Sequence, residues 1–145
     1  MLAEEPETLL LTQGPVEETL PSFRSALIGL VFSNAYIRLY RICASEAGRF
    51  PQIGERFFKA GPGRVRLILA RYLENQYRMG EMPVPDADLA ADQFVQFSFT
   101  RILTNRLCGV QERIDISVIS RRAESATRAF LAIYAANPAV KLRNV

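Results

Sequence analysis

Apolar residues recur three and four positions apart over long windows of this chain, and period-two alternation is scarce. That spacing predicts helices and no sheet. Breakers fall between the periodic segments: Gln13-Gly14-Pro15, Phe50-Pro51, Gly61-Pro62, Gly80 to Pro85, Gly109 to Asp115, and Pro138. They predict helices over about 34–48, 62–79, 86–107 and 116–137, with a short one over 51–60. Ser33 or Asn34, Pro62 and Asp86 suit helix starts, and Gly80 suits a position just past an end. An earlier helix ends at Phe32. Its start lies at Val16 or Pro21, because a proline either opens a helix or kinks it; a start near Leu20 is the favoured reading. Thr8 to Thr12 read as the tail of a helix begun upstream. The fold class is therefore all-α, a bundle of about five to six helices.

The helix faces carry more information. On 34–48, Tyr36, Leu39, Tyr40, Cys43 and Ala47 share a face. On 62–79, Val65, Ile68, Leu69, Tyr72 and Leu73 form the stripe. Helix 86–107 is apolar on two sides: Phe94 and Phe97 lead one, and Phe99, Leu103 and Leu107 the other. A helix of this kind must bury both sides. On 116–137, Ile119, Ala123, Ala126, Phe130, Ile133 and Tyr134 recur at helical spacing. Two readings stay open for the aromatic residues: a packed core, or a cavity wall in which tyrosine hydroxyls supply polar tips. Two also stay open for the last helix: packing on its own core, or on a second subunit.

Composition narrows the chemistry. The 145 residues fit one domain with a sizeable core. Histidine is absent, which removes the commonest general base and transition-metal ligand. Cys43 and Cys108 have no histidine partner to activate them, and both read as small buried hydrophobes in a reducing compartment. Carboxylate pairs such as Glu4/Glu5 and Asp86/Asp88 sit in the acidic start or at a cap. Gly61-Pro62-Gly63-Arg64 lacks the Lys-Ser/Thr ending of a phosphate loop. No enzyme, cofactor or metal site is expected. The net charge of +3 is too mild to signal nucleic acid. It is unevenly placed: residues 1–20 hold five acids and no base, so the remainder stands at +8. No apolar run approaches the ~20 residues of a membrane span. A soluble, cytoplasmic protein is expected.

Several strings together resemble a known family. Leu39-Tyr40-Arg41, then Ser45-Glu46-Ala47-Gly48-Arg49-Phe50-Pro51, is similar to a helix and turn in the C-terminal domains of TetR/AcrR transcriptional regulators. Phe57-Phe58-Lys59-Ala60-Gly61-Pro62 is similar too. Gly80-Glu81-Met82-Pro83-Val84-Pro85-Asp86 followed by Leu89-Ala90-Ala91-Asp92-Gln93-Phe94 resembles the entry into that family's first dimer helix. The resemblance spans about residues 16–137. It implies that helices 86–107 and 116–137 form a four-helix bundle across a two-fold axis, and that the helices up to 107 enclose an effector pocket. In that family, effector binding moves the helix that links to the DNA-binding domain. The family's N-terminal helix-turn-helix domain has no counterpart here.

That layout makes residues 1–15 an acidic segment with a remnant of the linking helix, 16–138 the effector-binding and dimerisation domain, and 139–145 a tail. Phe32, Tyr36, Tyr40, Leu69, Tyr72, Phe94, Phe97 and Arg101 would surround the pocket, with Arg101 as an anchor for an anionic group. Phe99, Leu103, Leu107, Ala123, Ala126, Phe130 and Tyr134 would form the dimer face. The expected partners are a second copy and a small apolar or amphipathic effector, with no specific DNA binding by this chain and no membrane. The rival expectation is a helical interaction module with a filled core and no ligand.

Overall fold

The structure, a computed structural model, describes residues 6–11, 14–111, 113 and 115–134. All regular structure among them is helical: α1 (Pro6–Leu11), α2 (Val16–Phe32), α3 (Asn34–Glu46), α4 (Pro51–Ala60), α5 (Pro62–Arg78), α6 (Ala87–Leu107) and α7 (Ile116–Tyr134).

Local chemistry sets most boundaries. Ser33 caps α3, its hydroxyl accepting the Tyr36 amide at 3.3 Å. The Asp86 carboxylate caps α6 by accepting the Leu89 amide at 2.9 Å. Pro51 and Pro62 open α4 and α5, where a missing N–H costs nothing. The favoured start of the second helix is corrected. It begins at Val16, and Pro21 lies inside it. Pro15 already supplies the carbonyl that accepts the Glu18 and Thr19 amides, and Glu17 and Glu18 favour the positive end of the helix dipole. The helix expected over 34–48 is shorter, and α3 ends at Glu46. The reading of 135–137 as helix lies outside the described residues.

Helices α2, α5, α6 and α7 form the body. Helix α2 packs against both α6 and α7, α5 lies along α6, and α1 rests on α2 and α5. One core gathers Leu10, Leu20, Phe23, Leu69, Tyr72, Leu73, Phe94 and Phe130. A second gathers Ile28, Val31, Ile37, Ile102 and Ala123 between α2, α3, α6 and α7. Phe94 sits 5.9 Å from Phe23 and meets Phe130 edge-on at 5.0 Å. Such ring pairs each contribute about 0.5–1.5 kcal/mol beyond their buried area.

One core side chain is charged. Arg24 on α2 is fully buried, and its Nε, Nη1 and Nη2 have no hydrogen-bond partner among the described residues. Burial pushes it down to about 9, still above neutrality, so the guanidinium enters the core charged.

Cys43 is buried as expected; Cys108 is not. Cys108 caps the C-terminus of α6, where the chain leaves the packed body. No single helix among the described residues is long and apolar enough to cross a membrane.

Candidate functional site

Helix α3 leaves α2 at 68° and so swings away from the body. It packs mainly on α4, which in turn leans on α5. None of the residues of α4 is fully buried, so its apolar side borders open space. The result is a cleft of about 480 Å³ between α3, α4, α5 and α6.

The cleft is walled by aromatic rings. Tyr36 and Tyr40 lie one turn apart on α3, with ring centres 6.1 Å apart. Phe57 of α4 reaches both, at 6.0 and 5.5 Å. Phe99 and Leu103 of α6 supply the opposite wall, and Cys43, Phe58 and Val95 complete the apolar lining. Gly63 lets Phe58 fold back over α5, because a Cβ there would stand 2.7 Å from the Phe58 ring.

Its polar groups are few. Arg66 lines the cleft and is held by Asp88 at 2.8 Å and Asp92 at 3.6 Å. Burial, and then the neighbouring Tyr40, push Tyr36 up to about 12. Its hydroxyl is therefore a neutral donor at every physiological pH. A mainly aromatic wall that also carries the Arg66–Asp92 pair, Gln96 and two tyrosine hydroxyls suits a small, largely apolar molecule with a few polar groups.

The structure divides the expected pocket residues among four places. Tyr36 and Tyr40 line the cleft. Phe32 packs on the second core, and its carbonyl accepts from Arg106 at 3.1 Å. Leu69, Tyr72 and Phe94 are closed inside the first core, away from the cleft lining. The Tyr72 hydroxyl donates to the Gly14 carbonyl at 3.1 Å. Phe97 and Arg101 stand on the outer side of α6, in a hollow of about 560 Å³ shared with Ala126 and Ala129 of α7. Arg101 therefore does not reach the aromatic cleft.

The expected dimer residues divide likewise. Ala126 is on that outer side, but Phe99 and Leu103 face the cleft and, with Leu107, the second core. Ala123 and Phe130 are buried within the subunit's own cores. Tyr134 packs on Phe130 at 4.7 Å, and its hydroxyl donates to the Gln93 side-chain carbonyl. The geometric reason is the turn of α6. Phe94 and Phe97 sit about 60° apart around the axis, so Phe94 is enclosed by the first core while Phe97 packs on its edge and also borders the outer hollow. Phe57 and Phe58 line the cleft without having been among the expected pocket residues. The available signal was a pair of aromatic residues on a short helix bracketed by Pro51 and Pro62.

The chain matches the family described as AefR-like transcriptional repressor, C-terminal domain, over residues 18–136. No curated protein matches. Among solved structures it is similar to a TetR-family transcriptional regulator from Mesorhizobium loti MAFF303099, with a TM-score of 0.83 at 21% identity. That likeness covers 89% of this chain and 65% of the other, so the chain spans just under two thirds of the regulator's length. It is also similar to the flavonoid-responsive regulator FrrA, with a TM-score of 0.74 at 23% identity, covering 92% of this chain and 70% of FrrA. At these identities the likeness shows a shared fold.

Proposed function

Because the chain belongs to the family of C-terminal domains of AefR-like, TetR-type transcriptional repressors, we propose that residues 16–138 form the effector-sensing and dimerisation domain of such a regulator. The effector is a small, largely apolar molecule, and the domain carries out no catalysis. One observation carries this reading: the cleft of about 480 Å³ lined by Tyr36, Tyr40, Phe57, Phe99 and Leu103. Its size lies within the range usual for ligand sites, roughly 300–1,000 Å³. A flat aromatic compound fits this lining best, since the rings offer faces and edges for stacking. FrrA is flavonoid-responsive by name, and a flavonoid is a compound of that shape.

Helix α5 offers the route by which occupancy reaches the rest of a regulator. Its Pro62 and Arg66 line the cleft. Its Arg64 pairs with Glu7 of α1 at 2.9 Å, and its Tyr72 holds the Gly14 carbonyl. A ligand that displaces Arg66 acts on the same rigid rod that anchors α1, the segment read as the end of the linking helix. The second copy would pack on the outer side of α6 and α7, where Phe97, Ala126 and Ala129 are only partly covered. The regulator would work in the cytoplasm.

Thermal unfolding in the presence of a panel of neutral aromatic compounds, flavonoids included, tests the reading. At least one compound is expected to raise the midpoint of the wild type and to lose that effect in Phe57→Ala. A panel with no stabilising member, or shifts that survive in Phe57→Ala, would count against a sensor and favour a helical interaction module.

A further inference from the structure

A second cavity, on the far side of α3 from the aromatic cleft, has the opposite character. It has a volume of about 660 Å³ and is lined by Asn34, Ile37, Arg38, Arg41, Arg106, Gly109, Val110 and Gln111. Three of these are arginines, and no carboxylate lines it among the described residues. The arginines come from two helices: Arg38 and Arg41 lie one turn apart on α3, and Arg106 is in the last turn of α6.

Two of the three are held in place. Arg41 donates through Nε to the Leu107 carbonyl at 2.9 Å and through Nη2 to the Arg106 carbonyl at 2.5 Å. It thus covers the negative end of the α6 dipole. Arg106 donates through Nη2 to the Phe32 carbonyl at 3.1 Å and to Asn34 Oδ1 at 2.7 Å. Gly109 adopts a φ of +75°, which only glycine takes without strain, and turns the chain so that Val110 and Gln111 close the rim.

These bonds fix the planes of two guanidinium groups but leave donors over. A guanidinium has five N–H groups. Among the described residues, the Nη1 of Arg41 and of Arg106 carries no hydrogen bond, while Arg106 Nε is buried with no acceptor there. Arg38 has no acid or carbonyl partner among the described residues. Three like charges around one cavity repel one another, and a shared anion would relieve that repulsion.

We propose that this cavity is a binding site for a small multivalent oxyanion of the phosphate type, distinct from the aromatic cleft. Arg38 and the free edges of Arg41 and Arg106 grip its oxygens. Guanidinium groups match such oxygens in paired, charge-assisted hydrogen bonds. The volume exceeds that of one phosphate group, so a phosphorylated small molecule or a diphosphate fits better than a single ion.

Calorimetric titration with inorganic pyrophosphate, at ionic strength held constant with sodium chloride, tests this. Saturable one-to-one binding is expected. Arg38→Gln should weaken it about tenfold, the loss of one charge-assisted group, without lowering the melting midpoint, since Arg38 is exposed and has no hydrogen bond or ion pair among the described residues. Binding that vanishes when ionic strength is balanced, or that Arg38→Gln leaves intact, would overturn the proposal. So would two further results. One is binding that appears only in Glu112→Gln, because Glu112 follows Gln111 in the chain and would then be the occupant. The other is a short DNA duplex that competes more tightly than pyrophosphate, because the arginines would then be a backbone contact.

Discussion

The guanidinium carbon of Arg24 stands 3.8 Å from the centre of the Phe94 ring. Phe94 is itself enclosed by Phe23 and Phe130. A full positive charge therefore lies within the main aromatic core. The ring face offsets part of its lost hydration, by about 2 kcal/mol at such a dry site. The full cost of burying an unpaired charge is larger. Arg24→Met keeps the volume and removes the charge, so it is expected to raise stability by about 1–3 kcal/mol in urea unfolding. A comparable loss would mean that Arg24 has an acceptor in the folded protein.

Tyr40 and Tyr72 should respond differently to truncation. Tyr72 is 1% exposed within the core. Tyr72→Ala is expected to cost about 3–5 kcal/mol, as for other large core residues. Tyr40 stands at the cleft with its ring against Tyr36 and Phe57. Tyr40→Ala is expected to cost only about 1 kcal/mol while removing ligand-induced stabilisation. Denaturant unfolding with and without a bound aromatic compound distinguishes the two.

Tyr36 gives the cleft a signature at alkaline pH. Its ordinary value of 10.0 is pushed up to about 12, mainly by burial. Below pH 10 both the folded and unfolded states keep the proton. Between 10 and about 12 only the folded state keeps it, so stability falls as pH rises through that window. Because Tyr36 is only partly buried at an open cleft, solvent screening reduces the loss attributable to it to about 1 kcal/mol. Melting midpoints measured at pH 9 and pH 11 should therefore separate less in Tyr36→Phe than in the wild type. Equal separation would place Tyr36 in water.

The outer side of α6 and α7 should decide the assembly. Size-exclusion chromatography with light scattering at micromolar concentration is expected to give twice 16.3 kDa. Ala126→Arg should shift the mass toward the monomer, because it adds charge to the hollow that already holds Arg101 and Arg122. A dimer that tolerates Ala126→Arg would move the interface elsewhere.

The helices were legible because their signals are local. Pro51, Pro62, Asp86 and Gly80 act within one turn of the chain, and each marks an observed boundary. Pro21 misled because a proline inside the first turns of a helix carries the same sequence signature as one that opens it. The site was legible only in part. Tyr36 and Tyr40 were readable as a pair on one face, but the side of α6 they meet was not. Phe94 and Phe99 differ by five residues, and both are apolar; only the tertiary packing encloses the first in the core and leaves the second at the edge of both cores, where it also lines the cleft. The role of Phe57 depended on α3 turning 68° away from α2, a tertiary angle that no local pattern encodes.

Filling the aromatic cleft shows whether it is an open ligand site. Ala44 lines the cleft and is exposed, so Ala44→Trp sets an indole across it without disturbing either core. The neutral fluorophore N-phenyl-1-naphthylamine is titrated into both proteins. Saturable enhancement in the wild type, lost in Ala44→Trp at an unchanged melting midpoint, is the predicted result. No saturable binding in the wild type, or equal binding in both, would contradict it.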